Sequence, residues 1–217
     1  MGALLDAIHR HLPVFPTLRA FLDWAEAGRD LVRIAEPVAT REQITAVQMK
    51  VLRAGGPVLR FDAPVLPDGR TSSVPVITNL FGTRRRVAAG LGLLPEQVAD
   101  FGEFLAELRT PAPVDGMRDA WSRWPMLKAA LSTRPKILRK APVQEVVTEA
   151  PDLASLPVQT CWPGDGGPLV TWPVVLTRPH GSDAQAVARY NAGVYRAQVL
   201  GRDRLILRWL AQRGGAA

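Results

Sequence analysis

The chain has 217 residues, 47% hydrophobic and 22% charged, with a formal net charge of +7. That length can bury a sizeable core in one large domain or two small ones, and no window approaches the roughly 18 uninterrupted apolar residues of a membrane span. A lone cysteine, Cys161, excludes an internal disulfide framework and a Cys-x-x-Cys metal site.

The N-terminal MGALLDAIHRHLPVF lacks the basic start, apolar run and small-residue cleavage site of a secretory signal, so a cytoplasmic location is expected. The charge surplus comes from arginine spread along the chain, densest at Arg84-Arg85-Arg86. Without the aromatic-basic interleaving that single strands use for stacking, no nucleic-acid partner is expected. Anionic small molecules, or peripheral contact with an acidic inner-membrane surface, suit the charge equally well.

In chain order, Thr17 caps a predicted helix whose Leu18, Phe21, Leu22 and Ala25 share one face, with Gly28 as its stop. Leu31 to Ile34 reads as a strand. Thr40 and Gln43 have the spacing of a capping box for a second helix that ends at Gly55-Gly56. Val58 to Phe61 and Val74 to Leu80 read as strands on either side of the turn at Pro67-Asp68-Gly69. Thr83 caps a helix over Arg84 to Ala89, and Val98, Phe101, Leu105 and Leu108 form another amphipathic face.

Thr110 to Lys140 reads as a connection with one short helix at Met126 to Leu131. The pattern then turns to strands at Val143 to Val147, Val170 to Thr177, Ala186 to Asn191, Val194 to Leu200 and Arg204 to Trp209. Gly201-Arg202-Asp203 makes the last pair a hairpin. The expected fold class is α+β: an N-terminal α/β unit over residues 1–125, then a β-barrel in progress over 126–217.

Three segments concentrate the chemistry: Cys161 to Pro168, Asn191 to Arg196, and Arg208 to Gly215. The last two flank the hairpin, so Arg196 and Arg208 could converge on one anion, the planar guanidinium fork matching phosphate or carboxylate. Gly214 and Gly215 would let backbone N–H groups approach a phosphate. Asn191 offers an amide oxygen acceptable to Mg²⁺ or Mn²⁺, although one amide is not a metal site, and barrel strands often carry arginines on exposed faces.

The segment NAGVYRAQVLGRDRLILRWLAQRGG, Asn191 to Gly215, resembles the cofactor segment of the UbiD family of decarboxylases. Leu52-Arg53-Ala54-Gly55-Gly56-Pro57, Asn79-Leu80-Phe81-Gly82-Thr83 and Thr160-Cys161-Trp162-Pro163 resemble further family motifs in the same order. The resemblance runs from about residue 17 to the end.

It implies that the second half belongs to a split β-barrel of flavin-reductase-like type, binding a prenylated FMN whose phosphate is held partly through a divalent metal, Mn²⁺ or Mg²⁺. On the matching positions Asn191 would be a metal ligand. Val194, Tyr195, Arg196, Arg208, Trp209, Leu210, Arg213 and Gly214 would contact the cofactor, and Arg196 would also be the catalytic arginine of a Glu-Arg-Glu network. Implied partners are an aromatic acid of 4-hydroxybenzoate type, a flavin prenyltransferase as cofactor supplier, and either a homo-oligomeric copy or a complementing C-terminal half. Family members continue well past the Arg-Gly-Gly motif with a metal-binding glutamate and the proton-transfer acids, so this chain is expected to be inactive alone. The alternatives are a non-catalytic flavin or metal-phosphate binding module, and a basic RNA- or membrane-surface protein.

Overall fold

The structure is a computed structural model, and it describes residues 14–109, 116–117, 121, 124, 138–181 and 190–210. The chain divides into two compact units. One comprises Met1–Val32, Val51–Leu59 and Asn79–Arg134, the other Arg33–Lys50, Arg60–Thr78 and Pro135–Ala217.

Helix α1 (Leu18–Ala27) begins where expected, the Thr17 hydroxyl accepting the Ala20 N–H at 3.2 Å. Its apolar spacing buries Phe21 and Ala25 but leaves Leu18 exposed. Phe15, Phe21, Trp24 and Phe81 form an aromatic cluster with ring centroids 5.0–5.6 Å apart, and burying Phe21 there contributes about 1.5–3 kcal/mol. Gly28 ends the helix with φ −78°, while the left-handed residue is Arg29 at φ 54°.

Strands β1 (Leu31–Ile34) and β3 (Val58–Phe61) match their predicted bounds, and β5 (Val76–Thr78) is the middle of its predicted run. They form one sheet in the order β1-β3-β5. Helix α2 (Gln43–Arg53) starts without the expected capping box. The Thr40 hydroxyl instead donates to the Val65 carbonyl at 3.0 Å, tying β2 (Val38–Ala39) to its parallel partner β4 (Pro64–Val65), and Gln43 accepts from the Ala39 N–H. A long-range backbone acceptor outcompeted the local cap.

Helix α3 (Arg84–Leu91) is capped by Thr83 and stopped by Gly92 in the left-handed conformation, φ 70°. Ala88 and Leu93 form a small core with Val98 and Phe101 from α4 (Val98–Arg109). On α4 the buried position belongs to Phe104, whereas Leu105 is exposed. The predicted helix at Met126 to Leu131 lies outside the described residues.

The strand expected at Val143 to Val147 is absent: Pro142–Gln144 is a 3-10 turn, and Val143, Val146 and Val147 are all strongly exposed. Pro142 removes a ladder donor at the segment's start. The run from Val170 splits at Pro173 into β6 (Leu169–Val170) and β7 (Val174–Thr177). Of the predicted strand at Ala186 to Asn191, 186–189 lie outside the described residues, and Asn191 opens β8 (Asn191–Val194). The next run loses Tyr195 and Arg196 and becomes β9 (Ala197–Val199), and the last becomes β10 (Leu205–Leu207). Two antiparallel sheets result, β10-β9-β6 and β7-β8. Among the described residues the strands form small open sheets of this kind and no closed barrel.

Candidate cofactor site

All the predicted site residues belong to the second unit. The β9-β10 hairpin pairs Leu205 with Val199, Ile206 with Gln198 and Leu207 with Ala197. Continued past its last pair, this register would bring Arg208 toward Arg196 and Trp209 toward Tyr195. The Tyr195 and Trp209 rings meet edge to face at 4.6 Å between centroids, interplanar angle 70°, so the two chain ends of the hairpin stay close beyond the ladder.

In β8, Asn191 pairs with Thr177 and Val194 with Val174. Asn191 Nδ2 donates to the Tyr195 phenol oxygen at 3.2 Å and lies 3.5 Å from Thr177 Oγ1. The Tyr195 ring reaches Asn191 by lying over Gly193, where an added Cβ would come 2.5 Å from a ring carbon. Glycine is needed at 193 for that close approach. The opposite face of the β7-β8 ribbon carries Val174, Leu176, Ala192 and Val194, all exposed.

The structure thus gathers Asn191, Tyr195 and Trp209 into one cluster, and Arg196 and Arg208 are both exposed next to the last ladder pair of the hairpin. Val194 and Leu210 are exposed apolar residues beside these. Arg213 and Gly214 lie outside the described residues. Because both bonds of Asn191 use its nitrogen, its oxygen is left as the donor for a hard cation. That fits one ligand of a divalent ion, and among the described residues no group of three or more His, Cys, Asp or Glu could complete the set.

Asp165 accepts from the backbone N–H groups of Cys161 (3.1 Å) and Trp162 (2.9 Å), which spends it on its own loop. Asp183 lies outside the described residues. Elsewhere in this unit a cavity of about 460 Å³ opens between Leu153, Leu156, Val158, Pro168, Val199 and Leu200, at the turn end of the hairpin.

Sequence reasoning missed what the arginine run does. Arg86 is 1% exposed and donates to Asp30 Oδ1 (2.9 Å) and to the carbonyls of Leu80 (3.1 Å), Gly56 (2.9 Å) and Asn79 (3.1 Å). Arg85 pairs with Asp30 and stacks over Trp24, 5.4 Å from the ring centroid, and Arg84 donates to the Pro95 carbonyl. Asn79, at φ 56°, donates in turn to the carbonyls of Gly56 and Pro57. The Gly55-Gly56-Pro57 and Asn79-to-Thr83 motifs are thereby locked together. All three arginines thus make contacts within their own unit, Arg86 buried and Arg84 and Arg85 exposed. Only the residue count from the Thr83 cap, which sets Arg86 at the third helical position, hinted at this.

The described residues are a mixed α/β chain whose second unit carries a two-arginine hairpin and an amide-tyrosine cluster. Residues 22–105 match the family model of the 3-octaprenyl-4-hydroxybenzoate carboxy-lyase N-terminal domain. Residues 136–217 match that of the 3-octaprenyl-4-hydroxybenzoate carboxy-lyase Rift-related domain. The chain belongs to the UbiD family.

Among solved structures it is similar to the UbiD-class enzyme HmfF from Pelotomaculum thermopropionicum in complex with FMN, at 25% identity over 90% of this chain and 37% of that one, TM-score 0.63. An evolved dimeric form of HmfF in complex with prFMN matches at 26% identity over 89% and 38%, also at 0.63. The vanillic acid decarboxylase of Sedimentibacter hydroxybenzoicus in closed form shares the fold at 24% identity over 91% and 38%, TM-score 0.66. The chain spans a little over a third of the length of these structures. No helix among the described residues is long and apolar enough to cross a membrane.

Proposed function

We propose that this chain is the N-terminal portion of a prenylated-FMN-dependent decarboxylase acting on a 4-hydroxybenzoate-type aromatic acid, most like the 4-hydroxy-3-polyprenylbenzoate decarboxylase of ubiquinone biosynthesis, and that it does not turn over alone. The observation that carries the reading is the similarity to a UbiD-class enzyme complexed with FMN over 90% of the chain. The two family models fall on either side of residue 125, which supports a division into residues 1–125 and a cofactor domain over 126–217 that belongs to a split barrel.

Bound there, prenylated FMN supplies an electron sink for the pair released when carbon dioxide leaves. Arg196 and Arg208 would take the phosphate or the substrate carboxylate through their guanidinium forks. Asn191 would offer its oxygen to Mn²⁺ or Mg²⁺, with Tyr195 and Thr177 fixing the amide. Val194, Trp209 and Leu210 would cover the flavin with apolar surface, Tyr195 would pack beside them, and Arg213 and Gly214 would close the phosphate end. Arg196 would orient the carboxylate for cleavage; the proton donor and further metal ligands would come from a complementing C-terminal half or an associated chain.

The test is an absorbance spectrum and metal analysis of the chain co-expressed with a flavin prenyltransferase, cytoplasmic and with any inner-membrane contact removed by salt. Bound flavin with substoichiometric Mn²⁺ or Mg²⁺ is expected. A colourless, metal-free protein would sink the reading. Supplying the family's C-terminal half should then restore decarboxylation of a 4-hydroxybenzoate; flavin retention without turnover in that complex would favour a non-catalytic binding module.

A further inference from the structure

Gln198 sits at the centre of β9, in register with Leu169 on one side and Ile206 on the other. Strand alternation sets it on the face opposite Ala197, which is only 2% exposed. Its carboxamide lies against the loop Asp165-Gly166-Gly167. A Cβ at Gly166 would stand 3.2 Å from its nitrogen and one at Gly167 3.3 Å, and Gly167 has φ 151°, which L side chains rarely adopt.

The loop is held on all sides. Asp165 caps two backbone N–H groups, its own N–H donates to the Trp162 carbonyl at 3.0 Å, and the flanks are tied by Leu169 to Gln159 (2.8 Å) and Val199 to Pro168 (2.9 Å). Two glycines thus leave room for an amide and restrict its rotamers. Yet among the described residues this half-buried amide makes no hydrogen bond. Its polar atoms are not fully buried, so donor and acceptor are both left for an incoming partner.

On the cofactor reading above, we propose that Gln198 is a further flavin-binding residue, its preorganised carboxamide pairing with the imide edge of the flavin ring while Arg196 and Arg208 serve the anion. A carboxamide presents donor and acceptor side by side, which matches a ring N3–H flanked by two carbonyls. A charged phosphate would gain more from the arginines, so the neutral amide belongs to the ring.

The experiment measures FMN binding to the 217-residue chain by fluorescence quenching, with FMN methylated at N3 as the probe of that edge. Wild type should prefer FMN by about tenfold, one hydrogen bond's worth. Gln198→Leu, checked for folding by circular dichroism, should lose that preference and shift the visible band of bound flavin. If wild type binds both flavins equally, the inference is overturned, and that arm needs no variant. If Gln198→Leu keeps the preference and the spectrum, it is overturned too. Failure of wild type to bind any flavin overturns the cofactor reading itself and Gln198's role with it, whereas equal binding of the two flavins leaves that reading standing.

Discussion

The Tyr195 phenol oxygen accepts a hydrogen bond from the Asn191 amide nitrogen at 3.2 Å, with its ring lying where a Cβ at Gly193 would stand. This contact leaves the amide oxygen of Asn191 as the atom that, on the proposed reading, would face a cation. Residues that orient a metal ligand from outside typically matter about 10–100-fold in affinity. Tyr195→Phe should therefore weaken Mn²⁺ binding in the flavin-loaded chain by at least about tenfold while leaving the melting temperature nearly unchanged, as read by isothermal titration.

Gly193→Ala is expected to be worse than its size suggests. The new methyl meets the Tyr195 ring at 2.5 Å, and overpacking of this kind costs about 1–3 kcal/mol. Urea denaturation should show that loss, and pairing the change with Tyr195→Ala should recover most of it because the clash disappears.

Arg196 and Arg208 are each the next residue beyond the ladder pair Leu207 and Ala197. If both grip one anion, replacing either with alanine should lower FMN affinity about tenfold and riboflavin affinity hardly at all. The double variant should lose less than the two single losses combined, because neighbouring groups on a shared ligand couple. Additive losses would mean separate ligands.

Arg86→Met should destabilise the chain by about 3 kcal/mol, since it takes away one of the two arginine partners of Asp30 and a buried donor to the carbonyls of Gly56, Asn79 and Leu80. Arg86→Lys should rescue little, because an ammonium cannot span the same fork of acceptors. Chemical denaturation of the three proteins checks both statements.

Asp68 gives a pH dependence of known sign. The Arg70 backbone N–H, then its guanidinium, hold the Asp68 carboxyl below its ordinary pKa. A depressed carboxylate stabilises above its unfolded pKa and loses that contribution as pH falls through the folded value. A carboxyl-carbon titration by NMR should find Asp68 ionised below the usual carboxylate range and shifted back up in Arg70→Ala.

Helix α1, strands β1 and β3 and the Thr83 cap could be read directly from the sequence, because their causes are local: a hydroxyl before an apolar period, or a β-rich run between turn residues. The family motifs were legible for a related reason, since glycines and asparagines at close backbone approaches tolerate few replacements. Local signals failed where a distant partner competed. Thr40 found the Val65 carbonyl, Phe104 displaced Leu105 from the core, and Val143 to Val147 had the composition of a strand but no pairing neighbour among the described residues.

The site divides the same way. Asn191, Arg196 and Arg208 could be named from residue type and spacing. That Tyr195 bonds Asn191, that Tyr195 and Trp209 meet beyond the last ladder pair, and that Arg86 is buried on Asp30 and three carbonyls were decided only by tertiary structure. A sequence states which groups can bond, but a guanidinium's partner is chosen by which carbonyls and carboxylates the folded chain brings within 3 Å of it, and for Arg86 those come from residues as far away as Asp30.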